Sequence, residues 1–263
     1  MIKLIASDMD GTLLDDEKRL PEDFLEVLES LLRQGTAFAV ASGRTYKALD
    51  HLFPEEYRDR ISYICDNGAC TVHGGKPVNV STLGRATFEE LLKVCDEIGD
   101  LKLVVCAENG VFHLRDTEEF YHEVGRYYKD HSIVEKFTDI TGDIYKLAIC
   151  DMRGTMVHGK PALDKIFGER LSVLVSGEIW MDVMPGGVSK GKALAALQNM
   201  LGVTRAETMV FGDYFNDVEM LMLADWSFCM ENGHEDVKKL CRFTAPDNNH
   251  GGVTDCIKRY ALV

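Results

Sequence analysis

Two carboxylates one residue apart, Asp8 and Asp10 in Asp8-Met9-Asp10-Gly11-Thr12-Leu13, carry the strongest chemical signal in this chain. An ionised carboxylate can attack a phosphoryl group and form an aspartyl phosphate, which divides a hard hydrolysis into two easier steps. The leaving alkoxide needs a proton, and a second carboxylate two residues on can supply it and then activate water. Gly11 permits the sharp turn that lets both side chains face one site. The competing reading is a surface Asp-Gly turn.

Three further segments could complete such a site. Gly212-Asp213-Tyr214-Phe215-Asn216-Asp217 offers oxygen ligands of the kind a hard divalent cation takes, and that cation would relieve the repulsion between facing carboxylates. A helix cap is the structural reading of Asn216 and Asp217. Ser42-Gly43-Arg44 brings a hydroxyl and backbone N–H groups that can hold a phosphate oxygen, although Ser-Gly after a strand is common in ordinary loops. Lys190 in Val188-Ser189-Lys190-Gly191-Lys192 could keep Asp8 ionised and neutralise phosphoryl charge. Lys192 competes for that role, but Lys190 lies next to the loop.

These segments must be held together by the fold. Each follows a short apolar run or opens a helix. Ile2–Ser7, Thr36–Ala41, Ile61–Cys65, Thr208–Phe211 and Trp226–Met230 read as buried parallel strands. Helices are expected from Pro21 to Gln34, from Ser189 to Leu201, behind an Asn216 cap, near Asp236–Cys241 and from Thr254 onward. This rhythm predicts a doubly wound α/β sheet, in which ligands bind at the carboxyl ends of the strands. Asp8, Asp10, Ser42, Gly43 and Asp213 should then converge.

From 83 to 184 the pattern changes. Thr87 with Glu90 reads as a capping box before a helix, and strand-like runs follow at Leu101–Cys106, Gly110–Leu114, Ile144–Cys150 and Trp180–Val183. The expectation is a mixed α/β module inserted in a core made of 1–82 and 185–263. Asp151-Met152-Arg153-Gly154-Thr155 echoes the N-terminal segment with Arg153 in place of the second carboxylate, and reads as a turn after a strand.

The formal net charge of -14 would repel a phosphate backbone and argues against a nucleic-acid partner. Eight scattered cysteines without a C-x-x-C pair read as buried reduced thiols in a cytoplasmic protein. No apolar run reaches membrane-spanning length, so no membrane partner is expected. The sequence leaves the oligomeric state open.

Taken in order, the four segments resemble the haloacid dehalogenase superfamily, and within it the Cof-type phosphatases with a large α/β cap. Asn67-Gly68-Ala69, Met230-Glu231-Asn232-Gly233 and Gly252-Val253 also fit that family's pattern. The resemblance implies a Rossmann-like core with Asp8 as nucleophile, Asp10 as acid/base and Lys190 as the third motif. It implies Mg²⁺ held by the Asp8 carboxylate, the Asp10 main-chain carbonyl and Asp213, with Asp217 nearby. Ser42, Gly43 and Asn216 would hold the phosphate of a small phosphorylated metabolite, such as a sugar, nucleotide or cofactor phosphate. The inserted module would supply substrate contacts, with Asn109, His113, Arg115 and Trp180 as candidates. Tyr214 and Gly233 depart from the pattern, which more often has a small residue and Ala there; a packing role is expected for Tyr214. A phosphomutase of the same superfamily, a phosphate-accepting signalling module and a non-catalytic binding protein are the alternatives.

Overall fold

The apolar runs become strands and the amphipathic stretches become helices in a computed structural model that describes residues 1–262. The first part of the chain forms β1 (Leu4–Asp8), α1 (Phe24–Arg33), β2 (Ala37–Ala41), α2 (Tyr46–Asp50), α3 (Glu55–Arg58), β3 (Ser62–Cys65), β4 (Cys70–His73) and β5 (Lys76–Val80). Then follow α4 (Arg85–Ile98), β6 (Leu101–Ala107), β7 (Gly110–Leu114), α5 (Glu118–Tyr127), β8 (Ser132–Val134), β9 (Ile144–Asp151), α6 (Gly159–Phe167), β10 (Leu171–Val175) and β11 (Trp180–Pro185). The last part forms α7 (Lys190–Leu201), β12 (Thr208–Gly212), α8 (Val218–Leu221), β13 (Trp226–Met230), α9 (Glu235–Lys238), β14 (Phe243–Ala245) and α10 (Gly252–Tyr260).

Contacts divide the chain into two units, one of Met1–Asn79 with Ser189 onward and one of Val80–Val188. The first holds an eight-stranded sheet in the order β14-β13-β12-β1-β2-β3-β4-β5. Its strands from β14 to β3 are parallel, and β4 turns back antiparallel to β3. Alternate residues serve the two faces. Ile5, Phe38, Val40, Met209 and Phe211 pack with Phe24, Leu28 and Leu31 of α1 and Val253 and Ile257 of α10. Leu4, Ala6, Ala39, Ala41 and Val210 pack with Ala193, Leu194 and Leu197 of α7 and Met220 and Leu221 of α8. Helices on both faces make the sheet doubly wound.

The second unit holds a six-stranded sheet, β10-β11-β9-β6-β7-β8, antiparallel except between β7 and β8. Val105, Leu147, Ile149, Met181 and Val183 meet Phe88 and Leu91 of α4 and Leu163 of α6. On its opposite face Val104, Cys106, Ala148 and Trp180 meet Phe120 and Val124 of α5.

Several boundaries differ from the sequence reading. Pro21 opens a turn closed by the Phe24 N–H on its carbonyl at 3.0 Å, and α1 starts only after it. Thr87 lies inside α4, whose N-cap is Gly84 and makes no side-chain cap bond, so no capping box forms there. Asn216 does not cap α8; it sits in the tight turn Phe215–Asp217, and Asp217 occupies the cap position. All eight cysteines are free thiols, seven of them buried.

Candidate active site

Strand register brings the chemistry together. Asp8, the last residue of β1, lies opposite Ala41 of β2, so Ser42 follows at the same sheet end. On the other side Ser7 pairs with Phe211 of β12, which places Gly212-Asp213 at that end as well. Residues 8, 42 and 213 are therefore consecutive along the carboxyl edge of three neighbouring parallel strands.

Lys190, in the first turn of α7, is 1% exposed, and its Nζ donates to Asp8 Oδ1 at 2.5 Å and to Asp217 Oδ1 at 2.7 Å. Lys192 is exposed, and its backbone N–H meets Ser189 Oγ, the cap of the same helix. The lysine brought to Asp8 is thus Lys190. Its position depends on Gly68, whose φ is 101° and where a Cβ would stand 2.3 Å from the Ser189 carbonyl oxygen. No other residue lets the Asp66–Gly68 turn approach the start of α7 so closely.

Asp217 spends its other oxygen on the chain itself, accepting from the N–H groups of Asp213 at 3.0 Å and Tyr214 at 3.3 Å. These bonds tighten the turn and explain why Asn216 is not the cap. Asp213 Oδ1 accepts from Thr12 Oγ1 at 3.2 Å. Gly11, with φ of 80°, is the close neighbour of that carboxylate: a Cβ there would stand 2.7 Å from Asp213 Oδ2.

Asp8, Asp213 and Asp217 each offer an oxygen within 4.8 Å of the others. Lys190 bonds to two of the three, Asp8 and Asp217, and one ammonium does not balance three ionised carboxylates. Burial pushes the Asp8 carboxyl well above the usual carboxylate range; Lys190 pulls it back, while Asp217 and Asp213 add to the rise. Burial, with Asp217 beside it, raises Asp213 to about 7 against the pull of Lys190 and Thr12. Lys190 keeps its proton although burial opposes it, because Asp217 and Asp8 face it. A buried, all-oxygen donor set with excess negative charge fits a hard divalent cation.

Asp10 points elsewhere. Its carboxylate lies in the fork of Arg44, Nε to Oδ2 at 2.8 Å and Nη2 to Oδ1 at 2.6 Å, with Lys18 Nζ at 2.9 Å from Oδ1. Burial alone would raise this carboxyl, but Arg44 and then Lys18 hold it below the usual range. Ser42 is buried, and its Oγ accepts from the Arg44 N–H at 3.2 Å. Gly43 faces the Asn67 carboxamide, whose Nδ2 would stand 3.2 Å from a Cβ at residue 43. Asn216 is half-buried, and among the described residues its side chain makes no hydrogen bond.

Lys18 carried no sequence signal; Thr12 and Asn67 lay within segments that fit the family pattern but had no contact assigned to them. The Arg44 signal was its place directly after Ser42-Gly43. Tyr214 is 42% exposed, and its ring packs against Phe215 and His234 at 5.3 and 5.9 Å on the surface. The Gly233 departure has a steric cause: a Cβ there would stand 2.7 Å from Cys229 Sγ and 2.9 Å from the Asp213 carbonyl. In the second unit His113 is buried against His131 at 2.8 Å, and Trp180 donates to Glu123 at 3.0 Å.

A doubly wound sheet that gathers carboxylates and a lysine at its carboxyl edge has the layout of a ligand site at the strand ends. The chain belongs to the haloacid dehalogenase-like hydrolase family, whose model matches residues 5–257. It is a phosphoric monoester hydrolase of Cof type. It is 31% identical over 260 residues, covering 98% of this chain and 96% of the relative, to a 5-amino-6-(5-phospho-D-ribitylamino)uracil phosphatase of Escherichia coli (strain K12). A phosphatase of the same name from Bacillus subtilis (strain 168) is 26% identical, with 98% and 97% covered. A crystal structure of a protein from Streptococcus mutans UA159 superposes with a TM-score of 0.93 at 25% identity, covering 100% of both chains. No helix among the described residues is long and apolar enough to cross a membrane.

Proposed function

We propose that the protein hydrolyses small organic phosphate monoesters through an aspartyl phosphate on Asp8, with Mg²⁺ as cofactor. The observation that carries this reading is the buried Lys190 ammonium shared between Asp8 and Asp217 beside Asp213. An ionised Asp8 oxygen attacks phosphorus, an O–P bond forms, and the bond to the ester oxygen breaks. Asp10, which must first take up a proton against the pull of Arg44 and Lys18, gives that proton to the oxygen as it leaves. Asp10 then takes a proton from water, the water oxygen bonds to phosphorus, and the Asp8 O–P bond breaks to restore the carboxylate. Ser42, the backbone at Gly43 and Asn216 hold the phosphoryl oxygens, and Lys190 balances their charge. The Asp8 carboxylate, the Asp10 carbonyl and Asp213 would hold Mg²⁺, with Asp217 behind them. When bound, the ion neutralises carboxylate repulsion and draws charge from the phosphoryl group.

The substrate class follows from the relatives. Both named phosphatases act on a ribityl phosphate carrying a heterocycle. We place this chain's substrate among sugar, nucleotide or cofactor phosphates of that kind, with Val80–Val188 as the specificity-bearing unit. The test measures inorganic phosphate from a panel of phosphorylated metabolites, with Mg²⁺ and with chelator, starting from 5-amino-6-(5-phospho-D-ribitylamino)uracil. Release that needs Mg²⁺ is expected. Isomer formation without phosphate would replace the reading by a phosphomutase.

A further inference from the structure

Two aromatic side chains stand at the carboxyl edge of the first unit's sheet without entering its core. Strands β12 and β13 each bury a phenylalanine, Phe211 and Phe228, whose rings stack at 5.0 Å. Just beyond β12, Tyr214 and Phe215 instead stay 42% and 51% exposed. Their rings meet edge to face at 5.3 Å, and the His234 ring lies 5.9 Å from Tyr214 and 4.5 Å from Phe215. Single exposed apolar side chains are ordinary, whereas contiguous apolar surface beside a polar site marks a place where something binds. The local backbone does not need these rings. Asp217 closes the turn by accepting from the Tyr214 N–H at 3.3 Å, and its own N–H donates to the Tyr214 carbonyl at 3.0 Å. On the facing loop the His234 N–H donates to the Asp213 carbonyl at 2.9 Å, and Asn232 Nδ2 donates to the Gly11 carbonyl at 2.7 Å. His234 Nδ1 accepts from the Asp236 N–H at 3.1 Å, which holds its ring in place. Main-chain bonds thus fasten all three rings beside Asp213.

We infer that Tyr214, Phe215 and His234 form a subsite for a flat aromatic ring on the alcohol portion of the ester, and so favour heterocycle-bearing phosphates over plain sugar phosphates. The inference rests on the phosphatase reading above and narrows its substrate class. Position supports it, because Tyr214 directly follows Asp213 in the chain. A ligand whose phosphoryl group lies between Asp8 and Asp213 has these rings as neighbours along the same sheet edge. Chemistry supports it as well. An exposed aromatic face gains most from another flat π system, and a sugar phosphate without a base has none to offer. The first unit then shares substrate selection with Val80–Val188.

Two pairs of esters isolate the ring: uridine 5′-monophosphate with ribose 5-phosphate, and 5-amino-6-(5-phospho-D-ribitylamino)uracil with ribitol 5-phosphate. Each pair shares its phosphorylated five-carbon chain, and only one member carries a flat heterocycle. We would measure kcat and KM for all four with the Mg²⁺-loaded protein and its Y214A/F215A and Y214F variants. The unaltered protein should favour the ring-bearing member of each pair it hydrolyses. Stacking on an aromatic side chain is worth about tenfold or more in affinity, so Y214A/F215A should lower the ring-bearing to ringless ratio of kcat/KM about tenfold, through KM. Y214F keeps the ring and should keep the ratio. If Y214A/F215A does not fold, Y214L/F215L, which keeps apolar bulk without a π face, carries the test. Equal loss on both members, an unchanged ratio, or no ring preference in the unaltered protein would overturn the inference and leave the phosphatase reading standing. Phosphate release from none of the four esters would end both.

Discussion

Two turns of nearly the same sequence lie at the ends of two buried strands. Asp8-Met9-Asp10-Gly11-Thr12 follows β1, and Asp151-Met152-Arg153-Gly154-Thr155 follows β9. Both aspartates are buried, at 5% and 0% exposure, both glycines have positive φ, 80° and 97°, and both threonines are buried. Their partners differ completely. The Asp151 carboxylate is met by local donors: Arg153 N–H at 3.0 Å, Gly159 N–H at 2.7 Å and the His158 ring at 3.0 Å. It anchors the start of α6. Asp8 instead meets Lys190, 182 positions away, in the company of two more carboxylates. A satisfied carboxylate is structure; a carboxylate surrounded by its own kind is where the proposed cation and phosphoryl group would sit.

Substitutions can break or sharpen this contrast. Asp8→Asn should lower phosphate release by about 10⁴-fold or more with the circular dichroism spectrum unchanged, since it removes the proposed attacking oxygen and little volume. Lys190→Met should cost about 10²- to 10³-fold in turnover. It should also cost about 3–5 kcal/mol in urea unfolding, because the two buried carboxylates lose their partner. Asp151→Ala should do the reverse, losing about 1–3 kcal/mol by leaving buried donors unpaired while turnover of an aryl phosphate stays close to that of the unaltered protein. Arg153→Asp completes the carboxylate pair of the echo. Arg153 is exposed and only loosely paired with Asp100 at 3.5 Å, so stability should move by less than about 0.5 kcal/mol. In an Asp8→Asn background this change should restore no hydrolysis, as measured by phosphate release.

The contrast also explains what could be read before the structure. Buried parallel strands appear as uninterrupted apolar runs, and the residues just beyond them are the ones a doubly wound sheet gathers. Asp8, Ser42 and Asp213 were legible for that reason, and Arg153 in the echo already hinted that its turn lacked the second carboxylate. Elements without burial gave no such signal. All five residues of β5 are exposed, and β14 has only three residues. The capping box at Thr87 was misread because the true start of α4, Gly84, bonds nothing through a side chain. The α5 start went unnoticed although Thr117 accepts from Phe120 N–H at 3.2 Å, a cap that Glu118 and Glu119 follow. The Arg44–Asp10 fork joins residues 34 positions apart, and no local periodicity reports such a pairing.

β1 lies toward the centre of its sheet, between β2 and β12. Its β12 edge pairs only when residues 208–212 arrive, after the whole second unit has been synthesised. Until then a nascent chain carries a bare parallel edge of apolar residues, the kind of surface that recruits chaperones or aggregates. Lys190 and Asp213 arrive equally late. The proposed site is therefore complete only once the central sheet has closed.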